Sequence, residues 1–122
     1  MTHHRTIAES YWAAECARDV EGVLRHYHED ARFIAPGWDL TGHDQIRRYY
    51  QESARRFPGL EVTVLRDLAQ GDLGAVEWTA TLTDTASVAH PIHGVNLIVL
   101  RGERFAEVRA YFDVSTLGEP TS

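Results

Sequence analysis

The chain has 122 residues, enough for one hydrophobic core but too few for two, so we treat residues 1–122 as a single domain. Hydrophobic residues make up 43% of the chain and charged residues 25%, which excludes an intrinsically disordered protein. The formal net charge is -6 and no lysine or arginine stripe exists, which excludes nucleic acid as a partner.

Two helices are predicted at the start of the chain. Thr6 and Glu9 have the spacing of a capping box, and apolar residues recur behind them at helical intervals. This pattern predicts a first helix over about residues 5–18. Asp19 can cap a second, short helix, whose apolar face includes Tyr27.

An extended stretch and a third helix follow. The extended stretch covers residues 31–35 and ends at Pro36 and Gly37. Thr41 and Asp44 repeat the capping pattern and predict a third helix that stops before Pro58. Its buried face is marked by Ile46, Tyr49, Tyr50 and Phe57.

From Leu60 onward the hydrophobic pattern has a period of two, which predicts strands. Glycine followed by an acidic residue at positions 71–72 and 102–103 is typical of hairpin turns. The second half therefore reads as four antiparallel strands, at about residues 60–69, 73–83, 88–100 and 105–113. Three helices followed by hairpins predict an α+β fold with the helices on one face of a curved sheet.

Three segments of the sequence resemble one known family. YWAAECARDVEGVLRHYHEDARFIAP is similar to the helix-to-strand segment of ketosteroid isomerases, HGVNLIVLRGERFAEVRAYFD resembles the final hairpin of SnoaL-like proteins, and GHDQIRRYY extends the likeness. The chain thus resembles the SnoaL-like and ketosteroid isomerase-like family of the nuclear transport factor two-like superfamily. The resemblance implies a cone-shaped barrel of three N-terminal helices on a strongly curved, mostly antiparallel sheet, with one internal pocket.

The resemblance also implies an oxyanion-binding site. By position, Tyr11 resembles the isomerase tyrosine that donates to the oxyanion, and Tyr50 and Tyr27 resemble its supporting pair. Asn96 replaces the aspartic acid donor, and its amide can also donate a hydrogen bond. The base of the isomerases falls at Ala35, which cannot move a proton. Steroid isomerisation by the family's usual mechanism is therefore not expected.

Proton transfer would need another titratable residue within reach of the substrate. Asp39 is expected in a loop at the mouth of the cone, and His93 lies at the entry of a strand. Asp113 matches the late-strand aspartate of SnoaL-like cyclases. Each has a structural alternative: Asp39 can cap a helix or be solvated, His93 can be structural, and strand alternation places Asp113 on an outer face.

Aromatic side chains are expected to line an apolar pocket for a small hydrophobic organic ligand. We place Trp38, Trp78 and Phe112 there, together with Tyr27 and Tyr50. Core filling is the alternative for most of these aromatic residues.

Several other partners and locations are not expected. No apolar run approaches the roughly 20 residues of a membrane span, and the start of the chain lacks a signal-peptide core, so we expect a cytoplasmic protein. The single Cys16 and the seven histidines form no metal-binding pattern. No nucleotide-binding motif is present. We therefore expect no metal and no cofactor.

The preferred hypothesis is a cofactor-independent enzyme that isomerises, cyclises or dehydrates a hydrophobic carbonyl compound. Tyr11 and Asn96 would stabilise an enolate-like oxyanion. A non-catalytic ligand-binding or interaction module is the first alternative. A limonene-type epoxide hydrolase is the second, for which Arg109 and Asp113 supply part of the required set. The resemblance also implies a homodimer through the outer sheet face, where Thr79 and Thr81 lie.

Overall fold

A computed structural model of the chain describes residues 2–117. The first half contains α1 (His3–Cys16), α2 (Val20–Leu24), β1 (Tyr27–Ala35), β2 (Trp38–Thr41) and α3 (His43–Arg56). The second half contains β3 (Gly59–Gln70), β4 (Leu73–Thr83), β5 (Ala89–Arg101) and β6 (Arg104–Phe112), followed by a 3-10 turn at Val114–Leu117. Within residues 2–117, no helix combines the length and apolar character needed to cross a membrane.

The first two helices differ from the prediction at their ends. α1 begins earlier because Thr2, and not Thr6, is its N-cap: the Thr2 hydroxyl accepts a hydrogen bond from the Arg5 backbone N–H at 3.1 Å. α1 ends at Cys16, and Arg18 then adopts φ 58°, the left-handed conformation that commonly terminates helices. Asp19 caps α2 as predicted, since its carboxylate accepts from the Gly22 N–H at 3.0 Å.

The assignment of Tyr27 to the second helix is wrong, because α2 ends at Leu24 and Tyr27 is the first residue of β1. Tyr27 fits the helical spacing of α2, but its pairing with Phe105 of β6 overrides that local pattern. The sequence analysis also missed the hairpin between β1 and β2, where Ala35 pairs with Trp38. β2 is short and mostly exposed, so it has no alternating apolar pattern.

The six strands form one curved sheet in the order β2-β1-β6-β5-β4-β3. Neighbouring strands are antiparallel except β1 and β6, which are parallel. The predicted α+β fold, with three helices on a mostly antiparallel sheet, is confirmed. The sheet stays open, with β2 and β3 at its two edges. β3 to β6 lie within one residue of the predicted strands at each end.

The inner face of the sheet forms the hydrophobic core. On β4 the alternate residues Val76, Trp78, Ala80 and Leu82 are buried, as their period of two predicts. Helix α1 packs on β3 and β4, and α3 packs on β1 and β2. The candidate site therefore lies where α1 and α3 meet the inner face of the sheet.

Candidate functional site

Three tyrosine hydroxyl groups form a hydrogen-bonded chain in the core. The hydroxyl oxygen of Tyr50, on α3, lies 2.6 Å from that of Tyr11 and 2.7 Å from that of Tyr27. Tyr11 comes from α1 and Tyr27 from the start of β1, and all three side chains are buried. The structure thus brings together the three tyrosines that the resemblance singled out.

This chain of hydroxyls ends at Glu15, a carboxylate that the sequence analysis missed. Glu15 lies one turn after Tyr11 on α1, and the Tyr11 hydroxyl donates to Glu15 Oε1 at 2.8 Å. Because the Tyr11 proton is used in this way, Tyr50 donates to Tyr11 and Tyr27 donates to Tyr50. The i, i+4 spacing was the available signal, but a helical glutamate is usually exposed.

Burial determines the protonation of this chain. It raises the pKa of Tyr11, Tyr27 and Tyr50 above the ordinary tyrosine value, so each remains a neutral donor. Burial also raises the pKa of Glu15, and the Tyr11 hydrogen bond and the positive charge of Arg18 oppose this effect. A carboxyl group with a raised pKa beside a bound ligand is suited to proton exchange.

Arg18 lies next to Glu15, and one of its buried nitrogens has no hydrogen-bond partner within residues 2–117. Its Nη2 donates to the Phe57 carbonyl, and its Nη1 lies 4.0 Å from Glu15 Oε2. The Arg18 Nε–H is buried and has no hydrogen-bond partner among residues 2–117. Its left-handed backbone costs roughly 1–3 kcal/mol for a residue other than glycine, and such strain is concentrated at functional sites.

Asn96 is buried on β5, with 6% of its surface exposed. Trp78 Nε1 donates to Asn96 Oδ1 at 3.0 Å. Since an indole only donates, this bond fixes the amide oxygen toward Trp78 and turns the amide NH₂ away from it.

Two indole rings lie between Asn96 and Tyr11. The centroid of the Tyr11 ring is 5.7 Å from that of Trp12, which is 6.2 Å from that of Trp78. In the described part of the chain no side chain bonds to both Tyr11 and Asn96. The structure therefore connects this predicted donor pair through ring contacts and not through a shared hydrogen bond.

The three predicted proton-transfer residues do not contact the tyrosine chain in the structure. Asp39 accepts two hydrogen bonds from Arg32, at 3.0 and 2.8 Å, and its side chain is 58% exposed. His93 lies 2.7 Å from Glu77, with its side chain 59% exposed. Asp113 is exposed and accepts a hydrogen bond from the Ser115 backbone N–H at 2.9 Å. All three side chains are therefore engaged at the surface.

The predicted pocket aromatics separate into two places. Trp78 is buried on the inner face, and half-buried Phe112 lies beside it with 5.8 Å between ring centroids. Trp38 is 47% exposed and packs edge-on against Tyr49, at 5.5 Å between centroids. Trp38 therefore lies at the rim of the core and not inside it.

Two open depressions lie elsewhere on the described surface. One, of about 270 Å³, lies between α1 and β3 and reaches Trp12 and Cys16. The other, of about 380 Å³, lies on the outer face of β3 to β5 and includes Thr79, Thr81 and His93. Neither is lined by Tyr11 or Asn96. Over residues 2–117, no group of three or more His, Cys, Asp or Glu side chains is placed to hold a metal ion.

The fold is similar to several solved structures. An NTF2-like protein of unknown function from Burkholderia pseudomallei K96243 has a TM-score of 0.84 and 17% identity, over 96% of this chain and 95% of that chain. TerC, co-crystallised with polyporic acid, has a TM-score of 0.83 and 19% identity, over 95% of both chains. A putative SnoaL-like polyketide cyclase from Jannaschia sp. CCS1 has a TM-score of 0.80 and 16% identity, over 94% and 88%.

At these identities the structural likeness shows the fold alone. No curated protein matches the chain in sequence. The SnoaL-like domain family, however, matches residues 8–108, which is most of the chain and includes Tyr11, Glu15, Arg18 and Asn96. The chain therefore belongs to the SnoaL-like domain family.

Proposed function

We propose that the protein is a cofactor-independent enzyme that acts on a hydrophobic carbonyl compound by proton transfer, as an isomerase, cyclase or dehydratase. The family and the fold support a small-molecule-binding or cyclase-type protein. The co-crystallisation of TerC with polyporic acid also supports a small organic ligand. The observation that carries the proposal is the buried chain of Tyr27, Tyr50 and Tyr11 hydroxyls, which ends at Glu15.

This arrangement suits an enolate-like intermediate. An enzyme accelerates enolisation by binding the developing oxyanion more strongly than the neutral carbonyl. Tyr50 donates to the Tyr11 oxygen, which strengthens the Tyr11 O–H as a donor, and Tyr27 supports Tyr50 in the same way. Removing one such donor from an oxyanion site costs roughly 3–4 kcal/mol in the activation barrier.

The proposal can be tested without knowledge of the natural substrate. 2-Tetralone is an apolar ketone with acidic α-hydrogens, and its α-hydrogen exchange in D₂O is measured by NMR. We expect the protein to accelerate exchange and Tyr11→Phe to reduce the catalysed rate about 10²–10³-fold. Tyr111→Phe is the matched control, because Tyr111 is exposed on the outer face. Equal rates for wild type and Tyr11→Phe would remove Tyr11 from the mechanism.

A non-catalytic ligand-binding module is the second candidate. It is favoured by Ala35 at the usual base position and by the surface contacts of Asp39, His93 and Asp113. Quenching of tryptophan fluorescence by 2-tetralone, without any catalysed exchange, would establish this alternative. The epoxide hydrolase reading has less support, because Arg109 bonds to Glu107 at 3.1 Å while Asp113 bonds to Ser115.

We further propose that two copies of the chain associate through the outer face of β3 to β5. A depression of about 380 Å³ on this face places apolar Pro91 beside Thr79 and Thr81, which suits a self-complementary surface. Sedimentation velocity should show a dimer for the wild type and a monomer for Thr79→Lys. A wild-type monomer at high protein concentration would contradict the proposal.

A further inference from the structure

We propose that Glu15 and Arg18 form a proton-exchange and anion-binding pair for a neutral ligand with a weakly acidic C–H or O–H group. Glu15 accepts the ligand's proton, and the Arg18 Nε–H and the Tyr11 hydroxyl bind the oxygen anion that remains. The pair thereby supplies the base that is absent at Ala35. The inference rests on the proposed function in one respect, namely that a ligand enters the core beside Tyr11.

Glu15 is the carboxylate that the structure places on the tyrosine chain. Its Oε1 accepts from Tyr11 at 2.8 Å, whereas Asp39 and Asp113 are occupied at the surface. The Glu15 side chain retains 14% exposure, so it is buried enough to be desolvated and open enough to be reached. A general base needs both hydrogen-bond reach and a desolvated environment.

Arg18 offers a donor whose partner is missing from the described residues. Burying an N–H without an acceptor is unfavourable, so native proteins rarely leave one in that state. Glu15 does not fill this role: its nearest ion-pair contact is to Arg18 Nη1, at 4.0 Å, and the Nε–H has no hydrogen-bond partner within residues 2–117. The Arg18 side chain is also 14% exposed, and a ligand oxygen at Nε would complete its hydrogen bonding.

Charge balance determines the class of ligand. Ionised Glu15 and Arg18 together carry no net charge, so an anion that entered this buried site would add an uncompensated charge. A neutral acid adds none, because its proton moves to Glu15 while its negative charge stays beside Arg18. For a ketone, the α C–H bond breaks, its electron pair forms the enolate C=C bond, and the carbonyl π pair moves to the oxygen.

Proton transfer also makes Tyr11 available. In the structure the Tyr11 hydroxyl donates to Glu15 Oε1 at 2.8 Å. Once Glu15 is protonated it is a much weaker acceptor, since charge-assisted hydrogen bonds are the stronger ones. The Tyr11 hydroxyl can then donate to the ligand anion at the moment this anion forms.

The other ionisable groups around Glu15 do not compete for the proton. Tyr11, Tyr27, Tyr49, Tyr50 and Cys16 interact electrostatically with Glu15, and burial raises the pKa of each of them, so all five stay protonated. The remaining group, Arg18, is a guanidinium, which has hydrogen-bond donors and no acceptor atom. Glu15 is therefore the proton acceptor of this cluster.

The ultraviolet absorption of bound 2-naphthol tests this assignment. Its hydroxyl resembles that of tyrosine and is protonated in water at neutral pH, and its anion absorbs at longer wavelength. We expect wild-type protein at neutral pH to bind 2-naphthol and to show the naphtholate band. In this step the naphthol O–H bond breaks, the proton joins Glu15, and the electron pair stays on the naphtholate oxygen.

Three variants make the test specific. Wild type should release no proton to a pH indicator when it binds naphtholate, because Glu15 takes the naphthol proton. Glu15→Gln leaves Arg18 without a counter-charge, so it should release one proton to solvent for each naphtholate bound. Arg18→Lys keeps the charge but loses the Nε–H, and should lower the ratio of bound naphtholate to bound naphthol about tenfold, as expected for one hydrogen bond to a charged group. Glu52→Gln is the control, because Glu52 is exposed and pairs with Arg55 on α3; it should keep the wild-type band.

The outcomes separate this inference from the proposed function. A naphtholate band that is accompanied by proton release in Glu15→Gln but not in wild type supports the pair even if 2-tetralone exchange fails. Exchange without a naphtholate band would leave the proposed function standing and overturn the assignment of Glu15 and Arg18. The assignment also fails if wild type does not bind 2-naphthol, or if wild type and Glu15→Gln release the same number of protons for each naphtholate bound. Circular dichroism of each variant verifies that it is folded.

Discussion

Replacing Tyr50 with phenylalanine removes the hydroxyl at which the two hydrogen bonds between tyrosines meet. The Tyr50 ring packs against Tyr11, Phe33 and Tyr49, with centroids 5.2–6.0 Å apart, and phenylalanine preserves these contacts. The variant therefore loses an oxygen atom and little packing. The Tyr27 hydroxyl, which donates to Tyr50, is left without its acceptor in a fully buried position.

The expected cost follows from the two hydrogen bonds. A net protein hydrogen bond contributes about 1 kcal/mol, and a buried donor left unpaired costs about 1–3 kcal/mol. The Tyr11 oxygen loses only an incoming hydrogen bond, because its own proton still bonds to Glu15. Together these effects predict a loss of about 2–4 kcal/mol in the free energy of unfolding.

Urea unfolding, followed by tryptophan fluorescence, measures this loss as a lower midpoint at an unchanged m-value. Tyr49→Phe is the matched control, since Tyr49 is the adjacent tyrosine on α3 and its hydroxyl has no hydrogen bond within residues 2–117. We expect the control to change stability by less than about 0.5 kcal/mol. If Tyr50→Phe were no more destabilising than Tyr49→Phe, the hydroxyl chain would not contribute to stability as described.

Three further substitutions test other features. Burial raises the pKa of Glu15, so the wild-type protein loses stability as pH rises through that pKa. Glu15→Gln should therefore gain stability relative to wild type between acid and neutral pH. If urea unfolding showed the same stability difference between the two proteins at every pH, this prediction would be wrong. The Thr2 backbone N–H and Arg5 lower the pKa of Asp67 to about 2. Asp67→Asn should therefore destabilise the protein at neutral pH. The stability difference between wild type and Asp67→Asn should shrink as pH falls from about 4 to about 2, because Asp67 of the wild type then becomes protonated. A Cβ at Gly94 would lie 2.5 Å from Trp78 Cζ2, so Gly94→Ala should lower the free energy of unfolding by about 1–3 kcal/mol and alter tryptophan fluorescence. If neither the stability nor the fluorescence changed, the close packing of Gly94 against Trp78 would be contradicted.

The three tyrosines of the candidate site could be predicted from the sequence because each corresponds in position to a tyrosine of the family that the chain resembles. Tyr11 and Tyr50 were placed on the correct helices, and only the element that carries Tyr27 was wrong. Glu15 and Arg18 gave no such signal. In sequence they are ordinary charged residues near a helix end, and such residues are usually solvated.

The side-chain chemistry of the three proton-transfer candidates can be read from the sequence. Their surroundings in the folded protein cannot. Strand alternation placed Asp113 away from the apolar face of the last strand; β6 ends one residue earlier, at Phe112, and Asp113 is exposed. The surroundings of His93 and Asp39 are set by their hydrogen-bond partners, Glu77 and Arg32 respectively, which lie seven or more residues away in the chain. A side chain's partner across a sheet depends on register, which single-sequence patterns do not supply.

The sequence by itself determined the elements whose signals are local: the period of two in β3 to β6, the glycine turns between them, and the Asp19 cap of α2. These signals depend on backbone geometry within a few residues. Only the tertiary structure decided that β1 runs parallel to β6, and that Glu15 and Arg18 lie together at the end of the tyrosine chain. Both outcomes depend on burial and long-range packing, which bring together residues that are far apart in the chain.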